Sequence, residues 1–251
     1  MDFIIMKKFK IHYSFFILLL FSFFLGLIKE MFLIIFVLMI HEIGHLFFII
    51  LFKNSVSNII IYPFGGVINY ELKNDFIYKD LLITLGGVLS NLLFYLLFKL
   101  LKLDILSNIN LVFLIVNLIP IHPLDGSRIL TLILSINLPY YLSKIICFIV
   151  SLTLSLILLI YIVINKSGFY YMFLIIFLIR INIFSVIKLN KEYHMFLLLK
   201  YLNPNLRLKD KMTTLFTYNP IKNIFYGTNT IFNFKSFIVK EEVVLRKYFE
   251  K

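Results

Sequence analysis

The chain has 251 residues, 61% of them hydrophobic and 15% charged, which is well above the roughly half-apolar composition of soluble domains and excludes an ordinary water-soluble globular protein. In such a chain a net charge of +12 reads as membrane topology and attraction to anionic lipid; no basic groove interleaved with aromatics accompanies it, so nucleic-acid binding is not expected. The single cysteine, Cys147, lies in an apolar run and excludes an intrachain disulfide.

A helix needs about 20 apolar residues to cross the bilayer core. The stretches 11–28, 31–52, 81–101, 109–130, 141–164 and 168–187 meet that length. They predict an all-α polytopic membrane protein of about six transmembrane helices, with a membrane domain over 1–190 and a basic cytoplasmic tail over 191–251. The first stretch follows Lys7, Lys8 and Lys10 and resembles a signal peptide. The chain contains no alanine for an A-x-A cleavage site, and the apolar run is long, so a retained span is expected. Positive-inside counting places the N-terminus in the cytoplasm, and an even number of spans returns the C-terminus to the same side. The tail from Lys188 agrees, with twelve Lys/Arg against five Asp/Glu. Segments 53–80 and 131–140 are then cytoplasmic.

The second stretch contains "HEIGH", residues 41–45. Four-residue spacing puts His41 and His45 on one helix face, where both imidazoles can reach one zinc ion, and Glu42 is placed as general base. Each ionisable group at membrane depth costs about 2.5–3.5 kcal/mol on the insertion scale, so a functional role outweighs an incidental polar face. Next, "SNIIIYPFGGVINY" (57–70) combines β-branched residues with Pro63, Gly65 and Gly66 and predicts a short membrane-associated hairpin. In the fourth stretch, "NLIPIHPLDGSR" (117–128) carries Pro120, Pro123 and Gly126, which break a helix where lipid cannot replace the lost hydrogen bonds.

A catalytic zinc takes three protein ligands and an open position. Asp125, His122, Asp104, His12 and His194 are the remaining candidates. Asp125 is the best of them, because irregular backbone presents it at membrane depth. His122 reads as a supporting donor or lining residue, Asp104 and His194 as solvated groups, and His12 as an interfacial imidazole. On periodicity alone Asn91 and Asn117 are interhelical hydrogen-bonding residues, and Arg180 reaches the headgroups.

In order and spacing, "HEIGH", "YPFGGV", "LGGVLSN" and "NLIPIHPLDGSR" resemble the site-2 protease family of intramembrane zinc metalloproteases, and in particular its sporulation branch. The likeness covers about residues 7–190. It implies a three-helix metalloprotease core in which His41, His45 and Asp125 hold one Zn2+ and Glu42 activates water. Asn91, Asn117, Gly65, Gly66 and His122 are implied to line the site or touch substrate. The family's usual Ala-Gly-Pro reads Leu85-Gly86-Gly87, and its Gly-Gly-Arg reads Gly126-Ser127-Arg128, which removes no ligand. The tail resembles a truncated or degenerate CBS-type module, with "FKSFIVKEEVVLRKYFEK" as its last strand and helix.

The expected activity is hydrolysis of a membrane-tethered regulatory protein in a bacterial cell or forespore membrane. A pro-sigma factor is the substrate implied by the sporulation likeness, and an inhibitory membrane protein is a possible partner. The alternative on the same ligands is a metal transporter or another non-proteolytic metal-binding membrane protein. A glutamate directly after His41, and one concentrated site, favour the protease.

Overall fold

The computed structural model describes residues 9–11, 13–62, 65–71, 77–165, 169–202, 210–213, 219–234 and 237–250. Lys7, Lys8, His12 and Pro63 lie outside the described residues. The chain divides into two compact units, residues 1–73 with 82–118 and residues 74–81 with 119–251.

The first unit opens with strand β1 (Phe9–Ile11), helix α1 (Tyr13–Phe24) and helix α2 (Ile28–Leu51). Strands β2 (Ser55–Tyr62) and β3 (Gly65–Glu71) follow, then helix α3 (Ile77–Leu100), whose first turn belongs to the second unit, and helix α4 (Asp104–Leu118). The expected hairpin forms: β2 and β3 pair antiparallel, Ile61 opposite Gly66. The sheet has a third strand that the sequence reading did not anticipate, because β1 pairs parallel with β2 and makes β2 central. Ile11 is therefore strand and not the start of a span. The helix after it has only 12 residues, about 18 Å, short of the roughly 30 Å hydrocarbon core. It ends at Gly26, whose φ of 70° lets the Leu27 amide reach back to Ser22. Lys53 and Lys102 take the same left-handed position after α2 and α3, with Asn54 N–H bonded to Ile49 O and Leu103 N–H to Phe98 O.

In the second unit, helix α5 (Asp125–Asn137), helix α6 (Tyr140–Ile164) and helix α7 (Phe169–Leu202) precede a small sheet. The stretch predicted as a fourth span, 109–130, is two helices, with α4 ending at Leu118 and α5 starting at Asp125. The prolines lack amide donors, and the amides around them find other partners: Ile121 N–H bonds Ile119 O, His122 N–H bonds Ser151 Oγ, and Leu124 N–H bonds Ile121 O. The sheet consists of β4 (Asp210–Thr213), β5 (Asn229–Phe234) and β6 (Phe237–Lys240), with β5 in the middle, parallel to β4 and antiparallel to β6. Helix α8 (Glu241–Phe249) closes the chain. The strand and helix expected near the C-terminus are present as β6 and α8. Tyr193, Leu197, Ile224, Phe232 and Leu245 form the apolar core beneath them.

Among the described residues α2, α3 and α6 are long and apolar enough to cross a membrane, and α4 is a shorter apolar helix. The protein is a mostly helical membrane protein with small sheets.

Candidate metal centre

Helices α2 and α3 meet backbone to backbone at two glycines. A Cβ added to Gly44 would stand 2.3 Å from Gly86 O, and one added to Gly86 would stand 2.5 Å from Gly44 O. Only residues without side chains allow this approach. It lays the His41–His45 face of α2 directly on α3, where a Cβ at Gly87 would stand 2.4 Å from His45 Nε2.

Both rings are tied through Nδ1. His41, only 4% exposed, places Nδ1 2.6 Å from Asn91 Oδ1, and His45 places Nδ1 2.8 Å from the Ile83 carbonyl. Amide and carbonyl oxygens only accept, so each Nδ1 carries the proton and each Nε2 presents a lone pair. The two Nε2 atoms lie 3.1 Å apart, with ring planes at 84°. Facing lone pairs repel, and a cation between them removes the repulsion. Zinc binds histidine nitrogen at about 2.0–2.1 Å, so one ion can reach both. On donor chemistry and on this convergence the residues fit a zinc ion.

Glu42, one residue after His41, turns its carboxylate to the hairpin, where Oε1 accepts the Gly66 amide at 2.6 Å. A Cβ on Gly66 would meet that carboxyl group at 2.7 Å. Gly65 is the neighbouring β3 residue, opposite Tyr62. Asn117, near the end of α4, donates its side-chain amide to Phe113 O of its own helix at 3.1 Å. Sequence reasoning passed over Asn110, which is fully buried and accepts from Asn91 Nδ2 at 3.0 Å. Its signal was available, as a further asparagine within an apolar helix.

In the second unit Asp125 is the first residue of α5 and is half-buried. A helix N-terminus presents amide donors toward a carboxylate placed there. His122 lies in the break before it, joined to Pro123 by a cis bond, and its Nε2 pairs with Ser185 Oγ of α7 at 2.7 Å. One turn beyond Asp125, Arg128 pairs with buried Asp80 at 3.2 Å, and Tyr226 donates to the same carboxylate. Neither Ser185 nor Asp80 was singled out from sequence. Among the candidates set aside, Asp104, His194 and Arg180 are exposed, as expected.

No family profile matches the chain. Over 125 aligned residues it is 28% identical to stage IV sporulation protein FB of Bacillus subtilis (strain 168), a match covering 46% of this chain and 43% of that protein. The chain thus spans less than half the length of that relative. Its fold is similar to that of a site-2 protease from Methanocaldococcus jannaschii, with a TM-score of 0.53 and 23% identity over 73% of this chain and 89% of the other. Both likenesses fall on the family that the motifs resemble.

Proposed function

We propose that the chain, whose motifs and fold resemble those of the site-2 proteases, is an intramembrane zinc metalloendopeptidase acting on a membrane-tethered regulatory protein. One observation carries the reading: two imidazoles with protonated Nδ1 and converging Nε2 atoms stand beside a glutamate held by the Gly66 amide.

In this reading His41 and His45 hold the ion, and Asp125 is its third ligand, as the motif resemblance implies. A bound zinc would supply Lewis acidity toward water and toward the scissile carbonyl. Glu42 accepts the proton of the attacking water and returns it to the leaving nitrogen. Asn91 and the Ile83 carbonyl hold the imidazoles in the tautomer that a ligand requires. Beyond Gly66 the edge of β3 offers an extended substrate segment backbone partners by strand addition. Asn117 and His122 serve as lining residues in this reading.

By the same reading residues 1–190 form the membrane domain, and the basic tail lies on the cytoplasmic side. The tail from 191 is a reduced CBS-type module. The bacterial relative is by name a sporulation protein, so a pro-sigma factor at the forespore membrane is the substrate we favour, with an inhibitory membrane protein as a further partner.

The test co-reconstitutes the full chain with a candidate membrane-tethered substrate, with and without chelator. Cleavage is expected to stop with chelator and to fall by about 10²–10⁴-fold in Glu42→Gln. Equal processing by wild type and Glu42→Gln would sink the assignment of the base.

A further inference from the structure

Resting on the zinc reading above, we propose that Asn110 is a positioning residue that keeps His41 in its metal-binding tautomer. An asparagine side chain has two ends of nearly equal shape and opposite hydrogen-bonding sense. What lies behind Asn91 therefore decides which end faces His41.

The decision is made at a backbone carbonyl. Leu106 O can only accept, and Asn110 Nδ2 donates to it at 2.8 Å. Asn110 Oδ1 is thereby left for Asn91 Nδ2, at 3.0 Å, and Asn91 Oδ1 is left for His41 Nδ1, at 2.6 Å. Reversing Asn91 alone would set two oxygens against each other between Asn91 and Asn110. Reversing both would set Asn110 Oδ1 against Leu106 O. Both side chains are fully buried, so water cannot relieve either clash.

Without an acceptor at 110, Asn91 is free to turn over. Its amide would then donate to His41 Nδ1, and the imidazole proton would move to Nε2. That proton would point at His45 Nε2, 3.1 Å away. A histidine–histidine hydrogen bond would then occupy the place of the ion. Asn110 prevents this collapse from a helix that carries no ligand.

The experiment uses full-length chain in detergent, labelled with 15N-histidine and stripped of metal. Nitrogen chemical shifts read the His41 tautomer, assigned by loss of the signal in His41→Gln, and cobalt(II) absorption reads metal affinity. Wild type and Asn110→Asp, which still offers an oxygen to Asn91, are expected to show protonated Nδ1. Asn110→Leu is expected to show a second His41 signal, protonated at Nε2, and cobalt affinity lower by about 10–100-fold. Adding Asn91→Asp to Asn110→Leu is expected to restore both readouts, because a carboxylate presents oxygen whichever way it turns.

A folded Asn110→Leu with wild-type signal and affinity overturns the proposal. So does Nε2 protonation of His41 in wild type or in folded Asn110→Asp, whether or not Asn110→Leu folds. No substrate enters these measurements. A chain that passes them and leaves every candidate substrate uncut counts against proteolysis alone.

Discussion

The first unit and the small C-terminal module of β4–β6 and α8 turn different side chains outward. On α2 and α3 the outward side chains include Phe32, Phe36, Ile43, Phe47, Leu93 and Leu96, while His41, Asn91 and Asn110 are inside. Around β5 and α8 the inside is Leu197, Ile224, Phe232 and Leu245, and Glu242, Arg246 and Lys247 face outward. The module follows the rule for water, where removing apolar surface from solvent drives packing. In the first unit apolar surface gains little by turning inward from hydrocarbon, so close glycine contacts, polar pairs and the packing of residues such as Val37 and Ile49 hold the helices. The solvent decides which residues become a core.

The contrast is sharpest where the module breaks its own rule. Lys200 and Glu241 form a buried pair at 2.8 Å, supported by Thr228 O and the Thr230 amide. Lys200→Met leaves a buried carboxylate and is expected to destabilise the module by about 3–5 kcal/mol, while Lys200→Met with Glu241→Leu recovers most of that. Pulse proteolysis of the full chain in urea measures both, and cobalt affinity should not change in either. In the first unit Gly66→Ala displaces the Glu42 carboxyl group. Cleavage is expected to fall by about 10²-fold, with cobalt affinity retained; equal loss of both would mean that the metal site itself had moved.

A pH effect separates the units further. Burial and the Asp80 carboxylate hold the Tyr226 phenol well above its usual value of 10.0. Below pH 10 both folded and unfolded chains keep the proton and stability is unaffected. Above it the unfolded phenol ionises first, and stability should fall by about 1.4 kcal/mol per pH unit. Unfolding curves at pH 9 to 11 should show this slope, reduced in Tyr226→Phe. The smallest effect is expected at Leu93, 63% exposed on α3. Leu93→Ala should change stability in lipid by no more than about 0.5 kcal/mol, whereas Leu197→Ala in the module core should cost about 2–5 kcal/mol. Similar losses at the two positions would undo the inside-out contrast.

Legibility in the sequence followed the same division. The helices α2, α3 and α6 were readable because helices of 24 or 25 mostly apolar residues carry a strong signal without help from neighbours. Pro120, Pro123 and Gly126 announced the break, and the isoleucine run with paired glycines announced the hairpin. Strand β1 was not readable: three residues beside lysines have no period, and their partner β2 is some fifty residues away. The true ends of α1 and α5 were hidden for a related reason, since hydropathy does not mark where a chain turns. At the site, His41, Glu42 and His45 were legible as side chains in a spacing. The Ile83 carbonyl was not, because every residue has one.

The Gly66 amide has a bearing on proton traffic. A lysine, a tyrosine or a second acid in its place would bring a proton that can be exchanged with Glu42, and the two groups would then titrate together. A backbone amide orients the carboxylate through its dipole and keeps its own hydrogen throughout. At this contact the glutamate is steered by a donor that never enters the proton count, so the Gly66 amide is not the source of any proton that Glu42 gains.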